Sequence, residues 1–267
     1  MSVIKLIMSD IDGTILDQKH QLDSHLLELM PLLKQSEIPF VLASARSPLG
    51  IAPISKELGI TDFPIASYNG ALISTGDKIL SQHTINKKEL LLLHDFLTKE
   101  FPTVSINVYS GKNWYVNALD KWVEIEAQIT GESPKVTSLA DFLQEEKNLI
   151  HKLLLISNAT TIQKLKETLA TMDFPQTDFY LSKDNYLEVT HNQVSKKQAL
   201  LELANYYQLS LTEIMSIGDN YNDIPMIETA GLGVAMGNAP TDVKVCANKV
   251  TDSNDQNGVS KAIKLYV

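Results

Sequence analysis

A single cysteine, Cys246, means that the chain can form no internal disulfide, and a lone thiol suits a reducing cytoplasm better than a secreted scaffold. No histidine stands near it in sequence to activate it, so a packed small side chain is expected there rather than a nucleophile. Long hydrophobic runs are also missing: no stretch is apolar for the ~20 residues that a membrane span needs. The segment from Met1 to Asp10 is too short in apolar length for a signal-peptide core and has no cleavage-like end, so a cytoplasmic protein without a membrane partner is expected. Basic runs are absent as well. With a net charge of −9 and a pI near 5.1 the overall field repels nucleic acid, which is excluded as a partner. There is no internal repeat and no low-complexity segment, and the 12 glycines and 10 prolines are scattered, so no flexible linker announces a domain join.

What is present is the balance of a soluble globular protein. Hydrophobic residues make up 44% and charged residues 21%, enough to bury a substantial core. A length of 267 residues suits one large or two modest domains. Val3 to Ser9 is apolar but for Lys5 and stops at an Asp-x-Asp-Gly turn, which predicts a strand buried on both faces of a parallel sheet. Apolar residues at helical spacing then predict a helix over about 22–35, a strand over 38–43, a helix over 49–58 and a strand over 63–67. The same alternation returns at the C-terminus, with a helix over about 196–207, a strand over 214–217, a helix over 223–229, strands over 233–236 and 249–251, and a closing helix from 259. This is the pattern of an α/β fold, a Rossmann-like doubly wound parallel sheet. Between the halves the style changes. Candidate strands at 104–109, 114–117, 152–157 and 186–189 mix with helices at 87–99, 121–130 and 161–171, which predicts an inserted α+β domain. The expected division is 1–78 and 191–267 for the sheet domain and 79–190 for the insert.

Four constellations fall at the ends of the predicted strands, where an open α/β sheet places its ligands. Asp10-Ile11-Asp12-Gly13-Thr14 follows the first strand. A turn at Gly13 can re-aim one acid relative to the other, so the two can act as nucleophile and proton carrier; the alternative is a turn that merely ends a strand. Gly218-Asp219-Asn220-Tyr221-Asn222-Asp223 follows the strand at 214–217. Asp219 reaches the same sheet edge as Asp10, and two carboxylates with a backbone carbonyl and waters make a hard oxygen site suited to Mg²⁺. Helix capping by Asn222 and Asp223 explains part of this pattern, and an EF-hand is disfavoured because no bidentate Glu follows at its spacing. Ala43-Ser44-Ala45-Arg46 precedes a helix that starts near Pro48; its hydroxyl and backbone N–H groups can hold phosphoryl oxygens, or Ser44 or Ser47 can simply cap the helix. Lys196, in Val194-Ser195-Lys196, can neutralise nucleophile and phosphoryl charge together, or be a solvated helix start. No Gly-x-Gly-x-x-Gly follows the first strand, which disfavours a dinucleotide-binding dehydrogenase.

In order and placement, Asp10 to Thr14, Ser44, Lys196 and Gly218 to Asp223 resemble the four motifs of the haloacid dehalogenase superfamily. The long insert and Tyr68-Asn69-Gly70-Ala71 resemble its Cof-type branch of sugar-phosphate phosphatases with a C2-type cap, and the resemblance covers essentially the whole chain. It implies a Mg²⁺-dependent phosphatase acting on small phosphorylated metabolites, with sugar phosphates foremost. Asp10 would form an aspartyl phosphate, and Asp12 would protonate the leaving alcohol and then activate water. Mg²⁺ would be held by Asp10, Asp12 through its carbonyl oxygen, and Asp219, with Asn220 close by, so the acids at 10, 12 and 219 are expected to converge around one cation. Ser44, Ala45, Lys196 and Asn222, joined by the Ile11 backbone N–H, would cradle the phosphoryl oxygens. Thr14, Arg46 and Asp223 would support this set, with Asp223 orienting Lys196 or a metal-bound water. The family's second motif commonly reads Thr-Gly-Arg; Ser44-Ala45-Arg46 keeps the hydroxyl.

The insert would be the cap that reads the leaving group, through side chains such as Trp114, Tyr115 and Trp122 unless these are core. His83, His151 and His191 have no ligand spacing and are expected at the surface or in packing. Asn69 and Gly70 either line the domain join or form a plain turn. A phosphotransferase or mutase on the same frame, or a non-catalytic phosphometabolite sensor, are the other readings. The protein is expected as a monomer or homodimer.

Overall fold

The computed structural model describes residues 3–267; Met1 and Ser2, with which the expected sheet domain and the N-terminal reading begin, lie outside the described residues. The chain forms two compact units. The first comprises residues 3–46, 51–81 and 195–267, and the second comprises 47–50 and 82–194. The expected joins after 78 and after 190 fall inside strands that continue to Gln82 and His191, which is why the division lies a few residues further on at each crossing.

The first unit is built on β1 (Leu6–Ser9), whose four residues are all buried. Its side chains alternate between two cores: Ile7 packs with Leu26, Met30 and Ile51 on one face, and Leu6 and Met8 pack with Leu200, Leu203 and Ile227 on the other. That two-sided burial explains the near-continuous apolar run. In chain order the unit adds α1 (Ser24–Gln35), β2 (Phe40–Ala43), α2 (Pro48–Glu57), β3 (Ile65–Ser67), β4 (Leu72–Thr75) and β5 (Lys78–Gln82).

The second unit then intervenes with α3 (Lys87–Glu100), β6 (Ser105–Ser110), β7 (Asn113–Val116), α4 (Lys121–Thr130), β8 (Lys135–Val136), α5 (Leu139–Gln144), β9 (Lys152–Ile156), α6 (Ala159–Leu169), β10 (Thr177–Lys183) and β11 (Tyr186–His191). The chain re-enters the first sheet through α7 (Lys196–Tyr206), β12 (Ile214–Gly218), α8 (Ile224–Thr229), β13 (Leu232–Ala235), α9 (Thr241–Cys246), β14 (Lys249–Val250) and α10 (Gly258–Tyr266).

The strand order of the first sheet is β14-β13-β12-β1-β2-β3-β4-β5. From β14 to β3 every pairing is parallel, whereas β4 runs antiparallel to β3. The sheet has the expected parallel core, extended at one edge by β4 and β5. The two-residue Gly76-Asp77 loop between β4 and β5 carries the edge extension; neither strand was expected, and β5 is exposed or half-buried throughout and so forms no apolar run. Strand order reverses about β1, between β12 and β2, so the carboxyl ends of these three strands frame the crevice where such folds bind ligands.

The second unit has the strand order β10-β11-β9-β6-β7-β8, antiparallel except for β7 with β8. One sheet face buries Val108, Leu153, Leu155, Leu187 and Val189 against Leu93, Leu143 and Leu165 of its helices. The other carries Tyr109, Trp114, Lys152 and Glu188. Trp114 is core: its indole Nε1 donates to Asn107 Oδ1 at 3.0 Å and its ring stacks on Tyr109. Tyr115 packs on Phe142, and Trp122 lies under the ammonium of Lys121. Strands β8 and β10 and helix α5 escape the sequence pattern, because β8 has two residues, α5 has six, and β10 is an edge strand largely open to water.

His151 is a packing residue of this unit. Its Nδ1 accepts from the Gly111 N–H at 3.1 Å, and its Nε2 lies 3.1 Å from Gln82 Oε1, which can only accept. Burial pushes the ring down from 6.5 to about 4, since protonation would place a second ring N–H against that of Gly111. Between these values the unfolded chain binds the proton and the folded chain does not, so this contribution is intact above 6.5 and is lost as pH falls toward 4. The expected loss at pH near 4.5 is about 2–3 kcal/mol. Both tryptophans of the chain lie in this unit, so their fluorescence during urea unfolding reports it directly. The wild type should lose more stability on acidification than His151→Gln; identical pH dependence in the two contradicts the assignment.

Candidate active site

The carboxyl end of β1 delivers Asp10, whose N–H still donates to the Ile217 carbonyl of β12 at 2.9 Å. The chain then turns. The Ile11 carbonyl accepts from the N–H groups of Thr14, Ile15 and Leu16, while the Ile11 side chain is buried in the core. Gly13 occupies the left-handed region with φ of 82°, and a Cβ there would stand 2.4 Å from Asp219 Oδ2. Only glycine allows the β1 loop this close to the loop after β12. Thr14 Oγ1 donates to Asp219 Oδ1 at 2.7 Å and fixes that carboxylate from the same turn.

Lys196 opens α7, with Ser195 capping the helix through the Gln198 N–H. Its side chain is fully buried, and Nζ lies 2.5 Å from Asp10 Oδ1 and 2.6 Å from Asp223 Oδ1. The 3-10 turn Tyr221–Asp223 folds Asp223 back, so that its Oδ2 accepts from the N–H groups of Asp219 and Asn220, each at 2.9 Å. One carboxylate oxygen from each of Asp10, Asp219 and Asp223 lies within 4.8 Å of the others. Three carboxylates thus share one ammonium in a largely buried space. Burial pushes Asp10 up to about 8, with Lys196 opposing the rise and Asp223 and Asp219 adding to it. Burial likewise pushes Asp219 up to about 6, against the hydrogen bond from Thr14 and with Asp223 adding to the rise. Burial acts to lower Lys196, but its two carboxylate partners outweigh this and hold it above its usual value. With one ammonium for three carboxylates the cluster is short of positive charge, and its donors to a cation are all oxygen, which fits a hard divalent cation.

Asp12 takes a different course from the expected convergence of acids 10, 12 and 219. Its carboxylate is exposed and forked onto Arg46, with Nε to Oδ2 at 2.8 Å and Nη2 to Oδ1 at 2.6 Å. Strand β1 has ended at Ser9, so strand alternation no longer fixes where residues two apart point, and the third acid of the cluster is Asp223. Ser44 sits buried at the end of β2. Its N–H donates to the Ala66 carbonyl, and its Oγ accepts from the Arg46 N–H at 3.2 Å, next to Ala45. Asn220 is exposed, and its Oδ1 accepts from the Tyr221 N–H, so its side chain caps the turn. Asn222 is exposed too and donates from Nδ2 to Asn69 Oδ1 at 3.2 Å.

Sequence reasoning overlooked two residues. Asn238 Nδ2 donates to the Gly13 carbonyl at 2.8 Å, and Asn238 Oδ1 accepts from the Asn254 N–H, bracing the β1 loop from behind. A signal was available, because Asn238 follows β13, another strand that ends on the same edge of the sheet.

The sequence matches the haloacid dehalogenase-like hydrolase family over residues 7–263. It is similar to a putative phosphatase of Haemophilus influenzae, 34% identical over 258 residues that span 96% of this chain and 95% of the relative. The crystal structure of a haloacid dehalogenase-like hydrolase from Bacteroides thetaiotaomicron superposes with a TM-score of 0.89 at 30% identity, over 99% of this chain and 100% of that one. A subclass IIB sugar phosphatase of the superfamily, 24% identical, shares the fold with a TM-score of 0.80 over 98% of each chain. Among the described residues no helix is long and apolar enough to cross a membrane. The chain belongs to the haloacid dehalogenase-like hydrolase family.

Proposed function

We propose that this protein is a Mg²⁺-dependent phosphatase of small phosphorylated metabolites, sugar phosphates foremost, working through an aspartyl phosphate on Asp10. The observation that carries the reading is the buried set in which Lys196 bridges Asp10 and Asp223 beside Asp219. A buried ion set of this kind is costly to assemble and is a poor source of stability, so chemistry is the better account of it. The similarity to a putative phosphatase supports the reaction, and the fold shared with a sugar phosphatase motivates the substrate class.

Asp10, Asp219 and Asp223 are the side chains that would hold the cation, with the Asp12 carbonyl and Asn220 as further oxygen donors from the same loops. When bound, it supplies positive charge that lets a carboxylate and a phosphate dianion approach each other. Lys196 occupies Oδ1 of Asp10, which leaves Oδ2 as the attacking oxygen. As the bond from Asp10 to phosphorus forms, the bond from phosphorus to the ester oxygen breaks, and Asp12 gives that oxygen its proton. Asp12, now a carboxylate, takes a proton from the water that attacks phosphorus, the Asp10 ester opens, and inorganic phosphate leaves. Arg46 holds Asp12 by both oxygens, so one oxygen must leave this fork and take up a proton before Asp12 can serve the leaving group. The Ser44 hydroxyl, the Ala45 and Ile11 backbone, Lys196 and Asn222 receive the phosphoryl oxygens. Residues 82–194 are assigned the cap's role of reading the leaving group.

Asp10→Asn should abolish release of phosphate from p-nitrophenyl phosphate, because the amide oxygen is no nucleophile at neutral pH; a fully active variant ends the claim. Chelation should silence the wild type and added Mg²⁺ should restore it, whereas activity indifferent to chelator removes the metal from the account. Asp12→Asn keeps the shape but not the proton, and should lower kcat by ~10²–10⁴. A kcat for that variant equal to the wild type assigns the proton carrier elsewhere.

A further inference from the structure

The segment that leaves β3 is built against local preference. Tyr68, Asn69 and Gly70 follow one another with φ of 54°, 57° and 100°, all in the left-handed region. Glycine enters that region freely and asparagine tolerates it, but for a bulky tyrosine it is an outlier. The hydroxyl of Ser67, one residue earlier, is buried with no hydrogen-bond partner among the described residues. A turn with these costs persists only where its surroundings over-determine it, and such turns concentrate at functional sites.

The surroundings are the loops that carry the candidate site. The Tyr68 N–H donates to the Arg46 carbonyl at 3.0 Å, and the Asn69 N–H donates to the Ser44 carbonyl at 2.8 Å. Gly70 lies against the start of α7: a Cβ there would stand 3.0 Å from the Ser195 carbonyl oxygen and 2.8 Å from the Ala199 Cβ, one residue before and three after Lys196. The Asn69 side chain, nine-tenths buried, accepts at Oδ1 from Nδ2 of the exposed Asn222 at 3.2 Å. One strained turn therefore touches the loop of Ser44, the helix of Lys196 and the loop of Asn222, the first of which lies more than a hundred residues from the other two in the chain.

We propose that Asn69 is a positioning residue for the phosphoryl-binding subsite, a role that rests on the phosphatase reading above. A carboxamide has two N–H donors and one acceptor oxygen. The acceptor on Asn69 fixes which end of the Asn222 amide faces inward, and it uses one of the two N–H groups. The second stays available to a phosphoryl oxygen. An exposed asparagine without this anchor rotates freely and must be ordered when phosphate binds; with it the donor is ordered beforehand. The Asn69 backbone performs the matching task at Ser44 by holding its carbonyl and thereby the loop that presents its hydroxyl. Asparagine meets both demands here, whereas glycine accepts the backbone but has no anchor, and alanine has neither.

The test uses p-nitrophenyl phosphate with Mg²⁺ as substrate and inorganic phosphate as competitive inhibitor, in the wild type, Asn69→Gly, Asn222→Ala and the double variant. Glycine keeps the left-handed turn, so the melting temperature of Asn69→Gly should stay close to that of the wild type. Its KM and its inhibition constant for phosphate should rise about 5- to 10-fold, the scale of one lost hydrogen bond. The double variant should be no worse than Asn222→Ala, because the two residues act as one unit. An unchanged inhibition constant in Asn69→Gly overturns the role. So does multiplication of the two losses in the double variant, or a fall in activity that follows lower stability with KM and phosphate affinity unmoved. If the wild type releases no phosphate from this ester or from a panel of sugar phosphates, the phosphatase reading fails and takes the role of Asn69 with it. If the wild type is active and only Asn69→Gly is indifferent, the role of Asn69 fails alone.

Discussion

The ammonium of Lys196, sealed from water between Asp10 and Asp223, is the contact on which the rest of this structure turns. A charge buried to that degree must be paired, and the pairing dictates where three separate parts of the chain end: β1, the turn after β12 and the first residue of α7. Asp223 serves two partners at once, Lys196 through one oxygen and the backbone of Asp219 and Asn220 through the other. The same carboxylate that orients the lysine therefore also shapes the loop that presents Asp219. Removing Lys196 leaves the carboxylates as uncompensated charge in a low-dielectric space, which is why they depend on it as a unit.

The fold makes this assembly possible by placing it where strand order reverses. β1 lies in the middle of the sheet with cores on both faces, so its end is rigid, and the loops after β1, β2 and β12 open on one edge. Rigidity on the strand side is matched by close approach on the loop side. Gly13 admits the Asp219 carboxylate, Thr14 fixes it, and Asn238 braces the turn from outside. Asp12 stands apart from this buried group on an exposed fork with Arg46, an environment unlike that of Asp10 two residues away. Two acids in two environments are what nucleophilic and proton-transfer roles require of the same short loop.

Much of this was legible in the sequence, for physical reasons. Strands buried on both faces read as apolar runs, and acids or hydroxyls just beyond such runs mark the sheet edge, which singled out Asp10, Ser44 and Asp219. The lysine was found by its place at a helix start. Side-chain pairing across long separations was not legible. Nothing in the sequence says that Arg46 meets Asp12, and the turn at Gly13 that could re-aim Asp12 did not by itself say which way its carboxylate would face. Asp223 was read as a support for Lys196, and its place in the acid cluster depends on a 3-10 turn that the motif alone does not announce. Asn69-Gly70 reads as a common turn signal; its left-handed run and its contact with Asn222 exist only once β3 and the loop after β12 have been brought together. The edge strands β5, β8 and β10 were missed because short or water-facing strands leave little alternation to detect, and β4, which joins β5 to the sheet, was missed with them.

The central claim is that the carboxylates gathered about Lys196 hold a divalent cation. Calorimetric titration of Mg²⁺ into the wild type and into Asp219→Asn tests it most directly, because it needs no substrate and no turnover. The account predicts saturable binding in the wild type that Asp219→Asn abolishes while the protein stays folded. Equal binding in both proteins, or none in the wild type, would contradict it.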